Sequence, residues 1–153
     1  MKLTVHLLVG VISALALSAV ALVIATAASA KELKSAQVCG LDEMCAPMRD
    51  RGVVDSITNF SSPSQPPSTA PYYRLDFVYE SPGGQDHNAF SHLFVPSRNL
   101  VAAGGEVEGT IGWFPVTGDG LALIRRSIAN LDPFAAPANW PASIDDPMFR
   151  PAN

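Results

Sequence analysis

An apolar run of 19 residues near the start of the chain, Leu7 to Ala25 (LLVGVISALALSAVALVIA), constrains everything after it. It holds no charge and no proline, and its only hydroxyl side chains are Ser13 and Ser18. Lys2 precedes it, and Ala28-Ser29-Ala30 follows with small residues at the two positions a signal peptidase reads. This is an export pattern, so residues 1–30 are set apart from the fold as a signal peptide or an N-terminal membrane-anchor helix. The A-x-A site favours cleavage; the run's length, close to the roughly 20 residues that span a bilayer, keeps anchoring open. Cys39 lies well beyond the run and follows Ala-Gln-Val, which is not a lipobox. Either way, residues 31–153 are expected to be extracytoplasmic, secreted or held by the N-terminal segment.

That remainder is enough for one small domain. It contains all 13 prolines, and losing Lys2 from a net charge of −4 leaves it at −5. No basic patch exists to neutralise phosphates, so nucleic acid is a poor partner. Membrane contact is expected only through an uncleaved N-terminal segment.

Along the chain, residues 31–35 (KELKS) read as a polar stalk. The fold is expected over 36–134, with 135–153 a proline-rich tail. Val53, Val54, Ile57 and Phe60 predict a short strand by their β-branched character. Ser61 to Pro71 is a Ser/Pro spacer, extended on the surface. Tyr72 to Glu80 alternates with period two: Tyr73, Leu75, Phe77 and Tyr79 face one way, and Arg74, Asp76 and Val78 the other. Ala89 to Pro96 is a second strand, stopped by its proline. Residues 99–116 read as another hairpin, turning at Gly104-Gly105. Leu121, Ile124, Ile128 and Leu131 form one helical stripe, which Thr117 or Asp119 can cap and Asp132-Pro133 ends. The fold class is therefore α+β: a small antiparallel sheet of four to five strands packed on one C-terminal helix.

The only two cysteines, Cys39 and Cys45, have five residues between them in VCGLDEMC. A thioredoxin-type pair needs a gap of two and an environment that lowers the thiolate pKa. Here Asp42 and Glu43 lie between them and disfavour a thiolate. Zinc needs about four ligands, and His87 and His92 are the only histidines beyond the leader. Copper(I) favours soft sulfur, which makes Cys39, Met44, Cys45 and Met48 the set for a Cys/Met metal carrier. In an oxidising compartment a structural Cys39–Cys45 disulfide is the stronger expectation, with Gly40 supplying backbone freedom to the ring.

Asp86, His87, Ser91 and His92 suggest a small secreted hydrolase, but His87 and His92 fall on opposite faces of a strand, and there is no G-x-S-x-G elbow. Glu106/Glu108 and Asp145/Asp146 are acid pairs that could flank a sugar or bind calcium weakly; a solvated face is the plainer reading. Trp113 and Phe114 read as core. No catalytic, cofactor-binding or metal residue is assigned on these signals. The leading expectation is a non-enzymatic domain that binds a protein or cell-envelope partner, with the hydrolase and the metal carrier as alternatives.

The elements Cys39-Gly40…Cys45, the spacer from Ser61 to Pro71, Tyr72-Tyr73, Val95-Pro96, Trp113 and Leu131-Asp132-Pro133-Phe134 occur here in that order. In this the chain resembles small exported or membrane-anchored proteins of actinobacterial type, with a Cys-Gly…Cys element and a closing helix that ends on Leu-x-Pro. The gap between the cysteines is longer here than in that group. The resemblance implies no activity, substrate or cofactor, and is consistent with a non-catalytic domain.

Overall fold

The computed structural model describes residues 31–58, 63–81, 83–84, 87–105 and 108–151. The apolar leader, Asp86 and Glu106 lie outside them. In chain order the elements are β1 (Glu32–Cys39), β2 (Cys45–Pro47), α1 (Arg51–Thr58), β3 (Tyr73–Glu80), β4 (His87–Val95), β5 (Leu100–Gly104), β6 (Ile111–Pro115) and α2 (Gly118–Ser127). Single 3₁₀ turns occur at Leu41–Glu43 and Pro147–Phe149. The class is α+β, as expected. The strands form one antiparallel sheet of six, in the order β2-β1-β3-β4-β5-β6.

Three expectations are corrected. First, residues 53–58 are helical, in α1. Asp50 caps that helix, its Oδ1 accepting from the Val53 amide at 3.2 Å. Val54 and Ile57 are buried three apart on one face. Cap and spacing together outweigh the β-branched composition.

Second, residues 31–35, read as a stalk, lie within or beside β1, which pairs with β3 from Glu32↔Glu80 to Cys39↔Arg74. A register shift between Leu33 and Ser35 breaks the alternation that would have marked the strand. With β2 spanning only three residues, the first half of β1 is an edge, which suits its polar side chains. The sheet thus has six strands rather than four to five, and two helices rather than one.

Third, residues 31–153 cluster as one compact unit, and the tail after Phe134 is part of it. The sheet is covered on both faces. Val38, Leu75, Phe77, Phe94, Val101 and Phe114 point to a core roofed by Val54 and Ile57 of α1 and Leu123 and Ile124 of α2. The two helices approach closely where α2 has Gly120; a Cβ there would lie 3.0 Å from Ile57 Cγ1. Of the helical stripe expected from the sequence, Ile124 is fully buried, while Leu121, Ile128 and Leu131 pack at its margin. Thr117 sits at the N-cap without a side-chain hydrogen bond.

The opposite face carries Leu93, Val95, Ala102 and Trp113, covered by Ala70 and Tyr72 from the spacer side and by Trp140, Met148 and Phe149 from the tail. Trp140 Nε1 donates to Pro67 O at 2.8 Å, and its ring meets that of Trp113 edge-on at 4.9 Å. Ser64 pairs with Trp113 along the outer edge of β6. Asp146 accepts from the Met148 amide and so fixes the 3₁₀ turn that buries Phe149. Prolines prevent a continuous helix in the tail but do not prevent docking.

Phe149→Ala should therefore lower stability by roughly 3–5 kcal/mol, the range for a buried aromatic, and this should appear as a lower urea midpoint. A tail lying loose on the surface would leave the midpoint unchanged.

Candidate functional site

The sequence elements singled out above converge at one end of the sheet. β1 and β2 form a hairpin closed by the Cys39–Cys45 disulfide, whose Cα atoms are 4.1 Å apart and directly opposite in register. Gly40 is extended, with φ −128°, so its role is not the backbone freedom expected for the ring. Instead, the Asp132 carbonyl packs where a side chain would be: a Cβ on residue 40 would lie 2.1 Å from that oxygen. The Leu41 amide donates to the same oxygen at 2.8 Å. The chain from 131 to 134 is also held by the tyrosine pair. Tyr73, on the helix side, donates its hydroxyl to Leu131 O at 2.8 Å. Tyr72, on the other side, exchanges backbone hydrogen bonds with Phe134 and stacks on its ring at 5.1 Å.

The left-handed backbone falls on Asp42 and Glu43, with φ of 57° and 56°. Such residues cost on the order of 1 kcal/mol or more each and persist only where their surroundings hold them. Here the disulfide closes the loop and Glu43 is tied by its carboxylate to the Arg74 guanidinium through both Nη atoms. The loop leaves Leu41 and Met44 to solvent, 45% and 50% exposed, two of three such large apolar side chains among the described residues.

Behind the loop lies a buried polar cluster. Arg74 Nε donates to Asp76 Oδ1 at 2.8 Å, and Ser91 Oγ donates to the same oxygen at 2.7 Å. Gln37 Nε2 and Cys39 Sγ each lie 3.4 Å from Asp76 Oδ2. Arg74 also sits over the Phe134 ring at 5.8 Å. Burial works against the Arg74 charge, but the hydrogen bonds and charges of Glu43 and Asp76 outweigh it and push its pKa up. These contacts tie the hairpin loop, β3 and β4 together: Glu43 to Arg74, Arg74 to Asp76, and Ser91 to Asp76. Alternation alone places Arg74 and Asp76 on a solvated face, and the only clue that they pair is their i, i+2 spacing on one side of a strand.

The other candidates are dispersed. Ser91 and His92 are neighbours on β4, so their side chains leave on opposite faces. Ser91 Oγ faces Asp76, while His92 lies among Phe77 and Phe90, at ring distances of 5.1 and 5.2 Å. Its Nδ1 is 3.0 Å from the Ser91 carbonyl, not from the hydroxyl, so nucleophile and base are not joined. His87 lies 3.8 Å from Glu80 near the surface. The sulfurs named for copper are also apart: both cysteines are spent in the disulfide, Met48 is in the helix-side core and Met44 is in solvent. Asp145 accepts from Ser143, and Asp146 caps the turn at Phe149. Glu108 is described without its intended partner. No group of three or more potential metal-ligating His, Cys, Asp or Glu residues gathers among the described residues.

No protein-family model matches the chain, and no curated protein and no solved structure is significantly similar to it.

Burial of His92 lowers its pKa from 6.5 to about 4, with the Ser91 carbonyl opposing. The unfolded chain therefore takes up this proton first as pH falls. The contribution of neutral His92 is intact above about pH 6.5 and is lost progressively down to about pH 4, a total of roughly 3 kcal/mol. His92→Phe should remove that part of the acid sensitivity, seen as a smaller difference in urea midpoint between pH 7.5 and pH 4.5. An unchanged difference would place the sensitivity elsewhere.

Proposed function

We propose that the chain is a non-enzymatic extracytoplasmic binding domain, and that it presents the tip of the stapled β1–β2 hairpin to a protein partner of the cell envelope. The observation that carries this is the exposure of Leu41 and Met44 on a loop whose backbone is fixed. Large apolar side chains on a free surface cost solubility, and on a flexible loop they would bind weakly, since ordering must be met at the moment of association. Here the disulfide, the Arg74–Glu43 pair and the Leu41–Asp132 hydrogen bond have already fixed the loop. Asp42 is exposed between the two apolar residues, so the surface suits an apolar pocket with a basic rim.

Export is the reading that fits the apolar leader and A-x-A site, and a disulfide is compatible with it. Among the described residues no helix is long and apolar enough to cross a membrane. The resemblance to small exported actinobacterial-type proteins gains physical sense from the convergence of Cys39-Gly40, Tyr72-Tyr73 and Leu131 to Phe134 at the base of this loop. The separation of Ser91 from His92 argues against the hydrolase alternative, and the scattering of the sulfurs against the metal carrier.

The test is photo-crosslinking in the native envelope, with a photoreactive residue at Met44 or, as control, at exposed Arg98. One discrete adduct should form from position 44 and not from 98. It should disappear when Leu41→Asp is added, with the urea midpoint unchanged. Equal labelling from both positions, or an adduct indifferent to Leu41→Asp, would contradict the reading.

A further inference from the structure

β4 and β5 pair only from Leu93↔Ala102 to Val95↔Leu100. Both strands continue beyond that, β4 back to His87 and β5 on to Gly104. The ladder between them therefore ends beside Ser91 and His92, and the strands part. The space opens into a cleft of about 260 Å³ lined by Phe90, Ser91, His92, Gly104, Ile144 and Phe149. Two features keep it open. Gly104 contributes no side chain, and a Cβ there would meet only Ile144 Cδ1, at 4.0 Å. The tail forms a roof rather than a plug. The Ile144 amide is held by Gly109 O at 3.2 Å, and Phe149 is fixed by the turn that Asp146 caps.

We propose that this cleft binds a small, uncharged aromatic molecule of one or two rings. Its apolar wall on the tail side is the Phe149 ring and Ile144, with Ile144 37% exposed at the surface; the Phe90 and His92 rings turn to the opposite face, against Phe77. The Phe149 ring favours offset or edge-on contact with another ring. The volume is below that of a pocket for a drug-sized ligand, which matches a phenol or an indole. No charged group lines it, so an ionised ligand would lose its hydration without a partner. Ser91 directs its proton to Asp76, which leaves its hydroxyl oxygen able to accept a hydrogen bond from a ligand O–H or N–H. The cleft lies on different elements from the hairpin tip and does not depend on the proposed partner.

The experiment uses the exported chain, residues 31–153, with phenol and indole as probes and benzoate as the charged comparison. Side-chain NMR signals of Phe149 and Ile144 and the amides of Ser91 and Gly104 are followed through each titration. Phenol and indole should shift these signals saturably, with benzoate about tenfold weaker or more. Gly104→Val, which fills the space, should abolish saturation while the urea midpoint is held or raised. Ile144→Phe, which narrows the cleft from the surface, gives the same readout should Gly104→Val fail to fold. The proposal is overturned by shifts that never saturate or spread over the whole surface, by benzoate binding as well as phenol, or by unimpaired binding in a folded filled variant.

Discussion

The structure turns on one crossing. After α2 the chain must leave the helix side of the sheet and reach the other side, and it does so over residues 131–134, at the end of β1 and β3. Consecutive residues of a strand face opposite ways, so Tyr72 and Tyr73 can hold the crossing segment from both sides at once: Tyr73 through its hydroxyl to Leu131 O, Tyr72 through backbone bonds and stacking to Phe134. Gly40 allows the Asp132 carbonyl to come within reach of the Leu41 amide. Any larger residue at position 40 would collide with that backbone oxygen. What looks like a collection of short motifs in the sequence is thus a single junction, and the tail beyond it covers the second face of the sheet because the junction directs it there.

The same junction explains why a sheet face otherwise suited to apolar residues carries an arginine and an aspartate. A buried ion pair brings little net stability, since desolvation offsets the attraction, but it specifies one arrangement strongly because an unpaired member is costly. Arg74 joins Asp76 on its own strand to Glu43 on the hairpin loop, and Asp76 in turn receives Ser91 from β4. Disulfide and ion pair therefore hold the loop from its two sides. The left-handed backbone of Asp42 and Glu43, and the exposure of Leu41 and Met44, follow from that double restraint rather than from local preference.

Much of this was legible in the sequence where periodicity is simple. Tyr73 to Tyr79 alternates cleanly and is β3; Pro96 ends β4; the disulfide follows from two cysteines in a chain whose apolar leader reads as an export signal. The reading failed where two signals compete. Val53, Val54 and Ile57 are β-branched, but Asp50 caps them and their spacing suits a helix. β1 was hidden by its polar edge and by the register shift at Leu33/Ser35. The tail was hidden because Trp140, Met148 and Phe149 dock from irregular backbone, which no period reveals. Arg74 and Asp76 took the place that a solvated face would occupy, and only the tertiary arrangement shows what covers them. Of the site, the pairing of the cysteines was readable; the display of Leu41 and Met44 was not, because it depends on Asp132, some ninety residues away.

The most direct test of the junction is native-state hydrogen exchange across a denaturant series. The amides of Leu41, Tyr72 and Phe134 all donate at the crossing. If it is the element on which both faces depend, these three should share one opening free energy, equal to that of Phe77 and Phe94 in the centre of the sheet. An early sub-global opening that releases Phe134 and the tail while Leu41 and Tyr72 stay protected would contradict the account.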